Sequence, residues 1–210
     1  MEEREYILAI TGASGAVLGL RLLEALVRLD RKVHLIISEG AKETLYEETG
    51  TKAEELIGLA SFYHDDYALH GPLASGSYVA PYVEAMIVAP CSMKTLAGIA
   101  SGYSSNLVGR AADVVIKEGK RLILVVRESP LNAIHLENML KLARLGVRIV
   151  PPVPPFYQKP GTVEELIEQI VGRILDQAGL HTDLTRRWRG KEQGLAPTSR
   201  LRSSSGSLER

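Results

Sequence analysis

Short runs of apolar, largely β-branched residues recur along this chain, and between them the apolar residues return at helical spacing. That alternation limits the fold more than any other feature, because it is the pattern of strands joined in parallel by helical crossovers. Strands are expected at Tyr6–Ile10, Val33–Ile37, Ala85–Ala89, Leu122–Val126 and Val147–Val150, with a weaker one near Tyr67–His70. Most of these runs are almost unbroken in apolar character, as strands covered on both faces must be. Helices are expected at Ala16–Leu29, Gly40–Glu48, Met93–Ser101, Leu107–Glu118, Ala133–Leu145 and Val163–Gln177. In the last, Val163, Leu166, Ile167, Ile170, Val171 and Ile174 share one face. The expected class is α/β: a doubly wound, mostly parallel sheet in a flavodoxin- or Rossmann-like three-layer sandwich.

A chain of 210 residues fits one domain. We place it at residues 1–190, with 191–210 as a flexible tail. The serine-rich end from Ser203 to Arg210 reads partly as a cloning remnant. Pro151, Pro152, Pro154 and Pro155 mark a rigid extended connection within the domain. No apolar run approaches the ~18 residues of a membrane span, and the charged start runs straight into a strand without the form of a signal peptide. A single cysteine, Cys91, excludes an internal disulfide and suits a reducing compartment, so a cytoplasmic protein is expected. The 25 basic and 25 acidic residues balance, which gives no sign of nucleic-acid binding.

In an open α/β sheet, ligands sit beyond the C-terminal ends of the strands. Polar or otherwise unusual residues follow nearly every expected strand here: Thr11-Gly12-Ala13-Ser14-Gly15-Ala16, Ser38-Glu39-Gly40, Pro90-Cys91-Ser92-Met93-Lys94-Thr95, Arg127-Glu128-Ser129-Pro130 and Phe156-Tyr157. Five such segments on one edge make a site. The glycines at 12 and 15 allow tight turns, and the helix that follows offers free N–H groups to an anion. The pattern is neither a dinucleotide fingerprint nor a Walker A loop. Ser14 alone reads equally well as a simple helix cap. Ser38 and Ser92 stand in equivalent places, and three hydroxyls on one edge favour phosphate or flavin binding.

Arg110 and Lys117 are seven residues apart, on the stripe of Leu107 and Val114. Lys117 could simply pair with Asp113 one turn back. Arg173 flanks the apolar Ile170 and Ile174. With Arg127 these cations suggest a second anionic ligand. Cys91, behind a buried strand, is read as structural. The histidines show no metal-ligand spacing, so no metal site is expected. Trp188 is expected to dock against an apolar surface.

Taken together, these blocks resemble the UbiX-type flavin prenyltransferases, formerly described as aromatic-acid decarboxylases. The resemblance covers residues 5 to about 190. It rests on Thr11 to Ala16, on Pro90-Cys91-Ser92-Met93-Lys94-Thr95-Leu96-Ala97, and on Arg110 to Val114 with Lys117-Glu118. Arg127 to Pro130, the stretch from Ile134 to Leu142, and Pro155-Phe156-Tyr157 complete it. The resemblance implies that Gly12, Ala13, Ser14 and Ser38 hold the flavin and its phosphate, with Ser92, Met93, Lys94 and Thr95 as a second flavin-binding segment. Arg127 would reach both ligands, and Arg110 would lie near the flavin at a subunit boundary. Tyr157, Arg173 and Lys117 would clamp dimethylallyl monophosphate, and Trp188 would close the site. Ser14, Glu48, Lys117 and Glu128 are the residues it marks as catalytic, the two glutamates in proton handling. The implied reaction is metal-independent: reduced FMN takes the dimethylallyl group at N5 and C6, phosphate leaves, and a UbiD-type decarboxylase receives the product. Similar proteins form trimers and dodecamers, so a homo-oligomer is expected.

The pattern departs from the family at Tyr103-Ser104-Ser105, where an acidic residue is expected before the asparagine, and at Gly109, where a bulkier residue is common. Two other readings share these observations: a flavin-dependent cysteine decarboxylase of the same fold, and a non-catalytic flavin carrier. The first should carry an active-site histidine in the opening strand–helix region, which is not evident in this sequence. The intact set of cations argues against the second.

Overall fold

The computed structural model describes residues 4–185; Trp188 and the expected tail lie outside the described residues. The elements in chain order are β1 (Glu5–Ile10), α1 (Ala16–Arg28), β2 (Lys32–Ile37), α2 (Glu39–Thr49), α3 (Ala53–Leu59), β3 (Phe62–Asp65), α4 (Gly76–Tyr82) and β4 (Val83–Cys91). Then follow α5 (Met93–Ser101), α6 (Leu107–Lys117), β5 (Arg121–Val126), α7 (Ala133–Arg144), β6 (Arg148–Ile149) and α8 (Val163–Gln177).

The six strands form one sheet in the order β3-β2-β1-β4-β5-β6, and every pairing is parallel. In the middle, Leu8 of β1 aligns with Leu35 of β2 and with Ile87 of β4. Side chains alternate between the faces. Leu8, Ile10, Leu35 and Ile87 point to the layer of α1, α2, α3 and α8. Ile7, Ala9, Ile36 and Val88 point to the layer of α4, α5, α6 and α7. Both layers are apolar and closed to water, and full burial of each such aliphatic side chain contributes about 1.5–3 kcal/mol. Gly19 sets how closely α1 lies on the sheet: a Cβ there would sit 2.6 Å from the Ala89 carbonyl oxygen and 2.8 Å from Ile10 Cδ1.

The doubly wound three-layer class stands as expected, and the sheet is wholly rather than mostly parallel. One strand moves: the weak strand expected at Tyr67–His70 is found at Phe62–Asp65. Residues 67–70 instead lie in a turn, where Asp65 Oδ1 accepts the Tyr67 N–H at 2.9 Å. Helices α3 and α4 are additional to those expected.

Candidate active site at the sheet crossover

The order of the strands creates the site. From β1 the chain winds outward through β2 and β3, then returns to β4 and winds the other way. The loops after β1 and β4 therefore diverge and leave a crevice at their C-terminal ends. One side chain holds its floor together. Thr11 Oγ1 donates to the Pro90 carbonyl at 2.8 Å and accepts the Ser92 N–H at 2.9 Å, and the residue is buried.

Above this floor lies a cleft of about 820 Å³, within the size range of small-molecule sites. Gly12, Ser38, Ser92, Lys94 and Thr95 from the expected set line it, with Asp66, Tyr67, Asn106 and Asn138 among the residues not expected there. Gly12 is required by a close approach, since a Cβ would lie 3.0 Å from the Gly40 backbone. Ser92 caps α5, accepting the Thr95 N–H at 3.3 Å and donating to Thr95 Oγ1 at 3.0 Å. Ser38 begins α2 but makes no side-chain capping bond, so its hydroxyl is available to the cleft.

Two helix N-termini at this edge are already satisfied by carboxylates. Glu48, at the end of α2, accepts the Gly15 N–H through both oxygens at 2.9 Å and the Ala16 N–H at 2.7 Å. The start of α1, expected to offer free amides to an anion, thus has a protein carboxylate in that place. The reading of Ser14 as a cap is also corrected: Gly15, at φ 103°, is the N-cap, and Ser14 is exposed with no capping bond. At α6, the Asp66 carboxylate accepts the Val108 N–H at 3.1 Å and an Asn106 Nδ2–H at 2.8 Å.

The expected cations are not gathered by one chain. Arg110 donates to the Ala74 carbonyl at 3.2 Å and pairs with Asp113 at 2.8 Å. Lys117 therefore does not pair with Asp113; it pairs with Glu118 and is 55% exposed. It also lies at the C-terminal end of α6, next to the start of β5, on the sheet edge opposite the cleft. Arg173 is 68% exposed on α8, 3.9 Å from Asp176. Arg127, Glu128 and Tyr157 are exposed in the loops after β5 and β6, on the cleft's edge but outside its lining. Ala13 and Met93 flank the lining residues without joining them. The separation has a simple cause. A helical stripe fixes a direction around the axis but not which end of the helix meets the site.

Elsewhere, Cys91 is fully buried and its thiol is pushed up to about 12 by burial, as suits a structural residue. Below the cleft, the buried Glu5 and His34 form a network with the half-buried His64 and Tyr78. His34 Nε2 contacts Glu5 Oε2 at 2.8 Å, His34 Nδ1 contacts His64 Nε2 at 2.8 Å, and Tyr78 donates to Glu5 Oε2 at 2.7 Å. Burial holds both histidines below their ordinary range, His34 more than offsetting its Glu5 contact. Burial alone would raise the Glu5 carboxyl, but hydrogen bonds from Tyr78 and His34 bring it below its usual value. Among the described residues no three His, Cys, Asp or Glu side chains assemble as a metal site, and no helix is long and apolar enough to cross a membrane.

Residues 1–176 match the Flavoprotein family model. A probable UbiX-like flavin prenyltransferase of Escherichia coli O157:H7 is 50% identical over 190 residues, covering 90% of this chain and 95% of that protein. The chain belongs to the UbiX-type flavin prenyltransferases. Solved structures agree with the assignment. The crystal structure of AnUbiX (PadA1) in complex with FMN and dimethylallyl pyrophosphate superimposes with a TM-score of 0.88 at 46% identity, covering 91% of this chain and all of that one. A dodecameric FMN-dependent UbiX-like decarboxylase from E. coli O157:H7 gives 0.85 at 50% identity, covering 89% and 100%. The flavin prenyltransferase fold thus accounts for nearly all of the described chain. Asp66, Tyr67 and Asn138 escaped the sequence reading. The first two follow the strand that was misplaced, and Asn138 lies on a helix with no local signal of a ligand.

Proposed function

We propose that this flavin prenyltransferase joins the dimethylallyl group of dimethylallyl monophosphate to N5 and C6 of reduced FMN, without a metal, in the cytoplasm. The product would be used by a UbiD-type decarboxylase. The observation that carries the reading is the hydroxyl-lined cleft at the β1/β4 divergence, in a chain of this family. Its size and its free Ser38 hydroxyl fit a flavin phosphate, and Gly12 lets the loop after β1 pack directly against the start of α2 at the cleft wall.

Reduced FMN would supply the nucleophilic atoms: N5 would bond to the allylic C1 in place of its proton as the C–O bond breaks. C6 would bond to C3 in place of its own proton while C2 gains one, so that one proton leaves with the phosphate. The protein's part is to bind and orient. Gly12, Ala13, Ser14, Ser38 and the segment Ser92 to Thr95 hold the flavin, fixing the reacting faces at close approach. Arg127, Tyr157 and Arg173 hold the phosphate and stabilise the charge it gains on leaving, with Arg173 supplied by a neighbouring copy because the end of α8 packs against the starts of β5 and β6, away from the cleft. Lys117 joins this clamp from a neighbouring copy, since its own chain carries it on the opposite edge, and Arg110 meets the flavin at the same boundary. The dodecameric relative supports such an assembly. Glu128 or the departing phosphate takes the C6 proton, Glu48 assists, and Trp188 closes the site.

Anaerobic incubation with reduced FMN and dimethylallyl monophosphate, followed by mass spectrometry of the released flavin, tests the reading. A gain of one five-carbon unit, unaffected by a chelator, is expected. Recovery of unmodified FMN alone overturns the transferase reading, and loss of activity on chelation overturns metal independence.

A further inference from the structure

The start of α6 lacks the acidic residue expected just before Asn106, yet the N–H groups of its first three residues are all bonded. The carboxylate comes from 40 residues upstream. Asp66 is 5% exposed and lines the cleft immediately after β3. Its carbonyl accepts the Leu107 N–H at 2.6 Å, its Oδ1 the Val108 N–H at 3.1 Å, and its Oδ2 the Asn106 Nδ2–H at 2.8 Å. Asn106 Oδ1 in turn accepts the Gly109 N–H at 3.0 Å, and its carbonyl accepts the Arg110 N–H at 3.0 Å. The N–H groups of Leu107, Val108 and Gly109, the first three of α6, are thereby taken, and the Arg110 bond begins the regular helical ladder.

The consequence concerns the polarity of one amide. A free asparagine side chain can turn end for end and exchange donor for acceptor. Asn106 cannot. A carboxylate accepts only, so Nδ2 must face Asp66, and a backbone N–H donates only, so the oxygen must face Gly109. Gly109 tightens the arrangement, since a Cβ there would lie 3.2 Å from Asn106 Oδ1. Each end of the amide keeps one further hydrogen-bonding capacity, a second N–H and a second lone pair.

We propose that Asp66 is a positioning residue for flavin binding: it fixes the donor and acceptor ends of Asn106 at the cleft wall, so that Asn106 reads a ligand edge of opposite polarity. The flavin ring system carries such an edge, a carbonyl beside an N–H, and this inference rests on the FMN reading given above. With Asp66→Asn, the side chain at 66 gains a donor and loses its charge, and Asn106 is released to turn.

The test is a double-mutant cycle on FMN affinity, with thermal melting measured alongside. Asn106→Ser is the second variant, because serine keeps a capping oxygen for α6 while removing the amide. Asp66→Asn alone is expected to weaken FMN binding about tenfold, the factor that one charge-assisted hydrogen bond controls. In the Asn106→Ser background the same change should have almost no further effect on FMN affinity, although it still lowers the melting temperature. An undiminished tenfold loss in that background overturns the inference, and so does an unchanged affinity in the single Asp66→Asn variant. Failure of the parent protein to bind FMN at all would instead overturn the flavin reading itself.

Discussion

The carboxylate of Glu48 accepts the backbone N–H of Ala16 at 2.7 Å, joining the end of α2 to the start of α1 across 32 residues of chain. With the two contacts to Gly15 it meets the positive end of the α1 dipole. Glu48→Gln removes the charge and leaves the shape. At this exposed position the loss should be about 0.3–1 kcal/mol at low ionic strength, read as a lower urea midpoint. Added salt should shrink the difference between variant and parent. A midpoint that does not move at low salt would contradict the interaction.

The His34–His64 pair makes stability depend on pH. Burial lowers the affinity of both rings for a proton in the folded protein. In the unfolded chain they bind protons below about 6.5. The unfolded state then holds more protons, so stability is complete above that pH and declines as pH falls through it. Tyr78 faces the same cluster with its hydroxyl pushed up to about 12, Lys32 lies nearby, and Glu5 adds its own loss only below its ordinary value of 4.5. The decline should begin as pH falls below about 6.5 and cannot exceed about 1.4 kcal/mol per pH unit for each histidine. Urea titrations across this range should show it, and His34→Gln should flatten the slope. An equal slope in the variant would assign the decline elsewhere.

Gly19 should tolerate no side chain. A Cβ would meet the Ala89 carbonyl and Ile10 at distances that force α1 off the sheet. Overpacking of this kind costs about 1–3 kcal/mol, against the fraction of a kcal/mol that alanine would gain in helix propensity. Gly19→Ala should therefore lower the melting temperature, whereas Gly58→Ala, with open space around it, should not. A stabilised Gly19→Ala protein would contradict the close packing of α1.

The proposed flavin and prenyl-phosphate sites should separate by mutation. Arg173→Ala should leave FMN affinity nearly intact and reduce prenyl transfer. Loss of one charge-assisted contact corresponds to roughly 1.5–3 kcal/mol, about ten- to hundredfold in substrate binding. Ser38→Ala should weaken FMN first. Fluorescence quenching and single-turnover prenyl transfer distinguish the two. Parallel loss of both functions in folded Arg173→Ala would reject a two-site arrangement.

What the sequence made legible follows from burial. Strands β1, β2, β4 and β5 are covered on both faces, so their apolar runs are long and unmistakable. Strand β3 is a four-residue edge strand ending in His64 and Asp65, and its half-exposed surface leaves no such run. Helix α4 begins at Gly76 and contains Pro81, two residues that argue against a helix when read locally. The cleft edge was legible for a topological reason, since parallel strands deliver all their following loops to one side. Contacts such as Glu48 to Ala16 and Asp66 to Val108 join segments 32 and 42 residues apart, and nothing local announces them.

Thr11 spans the place where β1 and β4 stop pairing and their loops part. Its hydroxyl acts there as a rung made from a side chain, added to a ladder whose backbone rungs are ending. The width of the crevice mouth is thus gauged by the reach of a single oxygen. The two halves of the sheet, one winding each way, are tied at the point where a ligand would push them apart. Serine would preserve that linkage, whereas valine, with nearly the same shape, would remove both side-chain bonds and leave only the Thr11 N–H to the Pro90 carbonyl beyond the paired strands.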